Sequence, residues 1–194
     1  SAIIYFISLF FSEIDNDLYV FLYYGQRLLE FQELLWTKEF EDKFPINQYF
    51  FTIPSYFDAN YGLKNTWGFF VFFILIGASF LIYKTLDSKI FKINNKYLNN
   101  KISILVAAIF FYINIYTPSA LFHINTLSSS LFAISICIFL KYSHKLKFNF
   151  LLIICSIFIM ALAVSLRPYL LLAAIICFFW ASIKNKNKFN IKQL

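Results

Sequence analysis

A chain of 194 residues that is 60% hydrophobic, 22% aromatic and only 14% charged cannot hide its apolar surface inside a soluble core. Soluble domains are about half apolar and about a quarter charged. The formal net charge of +7 would suggest nucleic acid in a soluble protein, but here the basic residues lie between apolar runs, so they report membrane topology and nucleic acid is excluded as a partner.

The first apolar run, "SAIIYFISLFF", has 11 residues, about half of what a span needs. It lacks a basic front and a small-residue cleavage site, so it does not read as an intact signal peptide. It reads as the outer end of a first span whose beginning precedes Ser1, and the chain reads as one transmembrane domain, 1–194, of a longer protein. A mixed segment, 12–65, comes next. The later apolar runs cover 66–83, 102–116 and about 121–140. Two more, "FNFLLIICSIFIMALAVS" and "YLLLAAIICFFWASI", flank Leu166-Arg167-Pro168; they are short enough for a tight hairpin or little tilt. The fold class expected is therefore all-α, a polytopic helix bundle of about six spans. Cys137, Cys155 and Cys177 each sit within an apolar run, where a thiol packs as a small hydrophobe rather than as a disulfide partner or metal ligand.

Charge placement orients the bundle. If 12–65 lies outside, alternation puts 84–101, 141–149 and 184–194 in the cytoplasm, and these hold 5, 3 and 4 basic residues. Segment 12–65 holds 9 of the 10 acidic residues and 4 basic ones. Lys and Arg concentrate in short cytoplasmic loops, and the reverse orientation would break that rule at all three. Attraction of the Lys runs to anionic membrane lipid accounts for them without another partner. Abundant Lys, Asn, Ile and Phe fit an AT-rich bacterial source, hence an inner or plasma membrane location.

Segment 12–65 is far longer than a connecting turn, and loops of that length are usually functional or disordered. Its aromatic content and Trp36 argue against disorder. Apolar residues or Gly recur at 18, 21, 22, 25, 28 and 29, the spacing of one helical face. An amphipathic helix over about 17–33, lying at the outer interface, is expected. Pro45 and Pro54 bracket "INQYFFTI", a second helix or partly embedded segment.

Glu13, Asp15 and Asp17 stand at the start of that segment. Asp15, Asn16 and Asp17 are all good N-cap residues, so capping is one reading. A metal site would need further oxygen ligands, and no second carboxylate cluster supplies them. No metal site is therefore assigned, although a divalent cation is compatible with the carboxylates. A general base is the third reading.

The residues beyond Asp17 favour the base. Phe21 lies four positions on, then come Leu28-Leu29, Trp36, "EFED" and Lys43-Phe44-Pro45. This layout resembles the first outer loop of the GT-C superfamily of membrane glycosyltransferases, which includes protein mannosyltransferases and lipid A aminoarabinose transferases. The family pattern is a short apolar span, an Asp shortly after it, an amphipathic helix, and a basic residue before Pro. Asp17 best occupies the acidic position. Leu18 stands where the family commonly has Glu, so Asp15 or Glu13 is the alternative acid.

The resemblance implies transfer of a sugar from a polyprenyl-phosphate donor to a lipid, glycan or protein hydroxyl at the outer face, with no organic cofactor. A carboxylate would take the acceptor's proton, help worth roughly 10²–10⁴ in rate, and a cation would meet the lipid phosphate. Arg167, at the outer end of the fifth span, is the first candidate; snorkelling to the headgroups is its competing reading. Lys43 is the second and Arg27 a third, each with interfacial anchoring as the alternative. His123, Asn125, Thr126 and Ser128 to Ser130 make the outer half of the fourth span polar. Interhelical packing and a groove for the lipid phosphate or acceptor both fit this pattern. The alternative function is a transporter, flippase or polysaccharide-polymerase component. Transporters favour internal repeats and charges at the bilayer midplane, and neither is evident here.

Overall fold

The computed structural model describes residues 23, 25–30, 49–53, 56, 63–87, 96–116, 121, 123–142 and 150–186. Five long helices succeed one another: α1 (Leu63–Leu86), α2 (Lys96–Ile115), α3 (Ile124–Tyr142), α4 (Phe150–Leu166) and α5 (Leu170–Lys186). Residues 25–30 and 49–53 are also helical; the first stretch falls within the helix expected over about 17–33, and the second within "INQYFFTI", the stretch between Pro45 and Pro54 read as a second helix or partly embedded segment. No strand occurs among the described residues.

Three stretches, Trp67–Leu86, Leu98–Ile115 and Ile124–Tyr142, are long and apolar enough to cross a membrane. A helix satisfies its own backbone groups, which lipid cannot do for it. The large apolar residues of α2, α4 and α5, among them Leu105, Ile113, Phe158, Leu172 and Phe179, face outward. A soluble protein does not leave so much contiguous apolar surface in water; this is the surface of a membrane protein. Helices α4 and α5 have 17 residues each, or about 25 Å at the helical rise, against a hydrocarbon core of about 30 Å.

The helix ends differ from those read in the sequence. The segment expected to loop over 84–101 is helical to Leu86 and again from Lys96. "KYLNNK" extends α2 below the apolar window because polar residues at an interface do not end a helix. In contrast, α3 starts at Ile124 rather than near 121, where the Thr126 N–H donates to the His123 carbonyl at 3.1 Å. The last two helices do not form a closely packed hairpin: α5 touches α4 and α3 only lightly.

Helix α3 lies between α1 and α4, and α2 packs on α1. Of the three span-length helices α3 is the most enclosed, with 44% of its apolar window buried against 22% for α1 and 11% for α2. Its small residues explain that position. Ser128, Ser130 and Ser135 are fully buried, and small side chains let helix backbones approach closely in lipid. Hydroxyls then bond across the contacts. Ser135 Oγ donates to the Ser156 carbonyl of α4 at 2.6 Å.

Polar pairs fasten α2 at both ends. At one end Tyr83 Oη donates to Asn100 Oδ1 at 3.1 Å, and Asn99 Nδ2 to the Leu86 carbonyl at 3.3 Å. At the other, Ser129 Oγ donates to Asn114 Oδ1 at 2.6 Å. The first is the Lys84 end of the bundle and the second is the Trp67 end.

Candidate functional site

The tightest apolar packing gathers at the Trp67 end. Trp67 and Val71 of α1, Leu121, Ile124, Leu127 and Leu131 around the start of α3, and Leu162, Ala163 and Leu166 of α4 form one core with Phe51. Phe51 comes from the segment before α1, yet it is fully buried. Its ring stacks on Trp67, with centroids 5.2 Å apart and planes 20° apart. Phe50 meets Phe51 edge-on at 5.4 Å and Phe70 at 6.1 Å. The Trp67 Nε1 is buried and makes no hydrogen bond among the described residues, so this contact is packing rather than polar pairing.

Arg167 stands at the same end, in the turn between α4 and α5. Its N–H donates to the Ala163 carbonyl at 3.1 Å, ending α4, and its own carbonyl accepts from Leu170 at 3.0 Å. The Leu171 N–H bonds the Pro168 carbonyl at 3.0 Å. Pro168, which has no N–H to satisfy, therefore opens the way into α5. Leu166 belongs to the apolar core and Leu170 packs against it. The Arg167 side chain is half-buried, and it takes part in a further interaction within the chain. A guanidinium in apolar surroundings at a helix end can meet a phosphate with two parallel donors, where a lysine offers a point charge.

The other expected site residues divide clearly. Glu13, Asp15, Asp17 and Lys43 lie outside the described residues. Arg27 is half-buried in the helical stretch 25–30, with its guanidinium 6.0 Å from the Tyr23 ring centroid. Gln26 Nε2 donates to Glu30 Oε1 at 2.8 Å along the same face. Among the described residues no group of three or more His, Cys, Asp or Glu is placed to hold a metal ion.

The polar half of α3 is committed to packing. Ser128 and Ser130 donate to the carbonyls of Asn125 and Thr126 at 3.0 and 2.7 Å. Ser129 donates to the Thr126 carbonyl as well as to Asn114, and Thr126 Oγ1 reaches the Asn114 carbonyl at 3.4 Å. The two bonds to Asn114 are interhelical and support packing, whereas the others stay within α3. Sequence reasoning misses Asn114. A lone Asn near the end of the apolar run "AIFFYINIY" is the signal that could have found it, since buried amides in a membrane bundle seek partners on other helices.

No protein-family model matches the chain, and comparison with characterised proteins and with solved structures likewise gives no match.

Proposed function

We infer that the protein is a GT-C-like integral membrane glycosyltransferase acting at the extracytoplasmic face, with six spans and its C-terminus in the cytoplasm. The observation that carries this reading is the seating of Phe51 in the Trp67-end core, which includes Leu166, the residue before Arg167. Phe51 thereby ties the later part of segment 12–65, the segment that carries the candidate acids, to the end of the bundle where the half-buried Arg167 stands. A phosphate-binding cation and a carboxylate-rich segment at one membrane face are the two components that sugar transfer from a lipid phosphate requires.

In the proposed reaction the acceptor hydroxyl oxygen attacks the anomeric carbon and the bond from that carbon to the phosphate oxygen breaks. The sugar passes to the acceptor and polyprenyl phosphate leaves. Asp17 takes the hydroxyl proton, with Asp15 or Glu13 as the alternative base, and Arg167 or Lys43 meets the charge on the departing phosphate.

The test is turnover of polyprenyl-phosphate sugars in membranes carrying the full-length protein. Asp17→Asn is expected to lower transfer by about 10²-fold or more while the protein stays in the membrane. Arg167→Ala is expected to raise the donor KM, with partial recovery in Arg167→Lys. Undiminished transfer in Asp17→Asn, with loss in Asp15→Asn or Glu13→Gln, moves the base to that residue. Movement of the lipid-linked sugar across the membrane without transfer would instead mark a flippase.

A further inference from the structure

We propose that residues 49–56 dock on the lipid of the outer leaflet, as a short interfacial clamp with one face in the protein and the other in the headgroup–acyl boundary. The spacing separates the faces. Phe50 and Phe51 turn into the bundle, whereas Tyr49 and Ile53 fall at i and i+4 on the other face of the helix 49–53, and Tyr56 follows shortly after. Those three are 56%, 50% and 70% exposed, too much apolar surface for a face turned to water.

The Phe51–Trp67 stack fixes the depth. Trp67 is the first residue of the apolar stretch of α1, so a ring 5.2 Å from it lies where hydrocarbon gives way to headgroups. Phe69, Phe73 and Phe80 of α1, the helix on which Phe51 stacks, are also exposed, as suits a helix surrounded by lipid chains. Composition selects the occupant. From Tyr49 to Phe57 the chain has no charged residue, which suits neither an acidic nor a basic soluble partner, while Tyr side chains place an apolar ring and a polar tip across the boundary. Thr52 Oγ1 donates to the Tyr49 carbonyl at 2.6 Å, so the hydroxyl between the faces is satisfied within the segment.

This inference rests on the membrane orientation proposed above but not on sugar transfer. The test is nitroxide accessibility in lipid bilayers, using the full-length protein with Cys137, Cys155 and Cys177 replaced by alanine. One variant carries Ile53→Cys and another Ile109→Cys, the latter on the outward face of α2. Oxygen collects in the hydrocarbon, and a neutral nickel chelate stays in water. The expected result is a deep position for the label at 109 and a shallower one at 53, below the phosphates by about 5–10 Å. A deep label at 109 with a fully chelate-accessible label at 53 overturns the clamp and leaves the membrane reading standing. Shielding of position 53 from both reagents also overturns it, in favour of protein or a second copy covering this face. An aqueous label at 109 overturns both readings.

Discussion

Phe51 and Ser135 show how unequal two buried contacts are in this bundle. Phe51 stacks on Trp67 of α1 and belongs to the core that α1, α3 and α4 share. Truncating a buried Phe removes that packing and leaves a cavity, and such changes cost about 3–5 kcal/mol in soluble cores. Phe51→Ala is therefore expected to lower the unfolding temperature in detergent markedly, with Phe51→Leu recovering much of the loss. Ser135 makes a short bond to the Ser156 carbonyl, yet interhelical hydrogen bonds in membranes average only about 0.6 kcal/mol. Ser135→Ala is expected to shift the same transition only slightly. A larger effect from Ser135→Ala than from Phe51→Ala would contradict this account of the packing. Neither partner was legible as such in the sequence. The flanking Pro45 and Pro54 mark "INQYFFTI" as a second helix or partly embedded segment, but which aromatic turns inward depends on a contact with α1, outside any local window.

At the scale of the element, α2 is the least enclosed of the three span-length helices, and polar bonds fasten it at both ends beside the Phe72–Phe111 ring contact. Asn114 accepts from Ser129 and donates through Nδ2 to the Phe110 carbonyl at 2.9 Å. Asn114→Leu is expected to weaken the α2–α3 contact by about 1 kcal/mol, seen as slower disulfide trapping between cysteines placed at the Trp67 ends of these helices. In α1, a Cβ at Gly77 would meet nothing within 4 Å. Glycine is a poorer helix former than alanine by about 1 kcal/mol, so Gly77→Ala is expected to leave the thermal transition unchanged or raise it; a clear fall would mean that another helix approaches Gly77 in the membrane. The apolar runs made α1, α2 and α3 readable almost to their ends. Boundaries were misread both where polar residues prolong a helix, as at "KYLNNK", and where an apolar run begins before its helix, as at Ile124, because hydropathy marks the membrane and not the hydrogen-bond ladder.

For the molecule as a whole, the central claim is that the acidic segment and Arg167 share the outer end of a membrane bundle while the lysine-rich connections lie inside. That proposed orientation rests on the charge asymmetry of the sequence, since the placement of Lys and Arg sets the direction of insertion. The site was less legible. Arg167 stood out as a lone cation among apolar residues, and the structure places it beside the Phe51–Trp67 core. Among the candidate acids, spacing favours Asp17 over Asp15 and Glu13, but all three lie outside the described residues, and a cap and a base call for the same side chain at the same helix start. The most direct measurement is labelling of single cysteines in intact cells with a membrane-impermeant thiol reagent, in the cysteine-free background. Phe40→Cys is predicted to react and Asn95→Cys to react only after the cells are opened. Labelling of Asn95→Cys in intact cells, with protection of Phe40→Cys, would contradict the account.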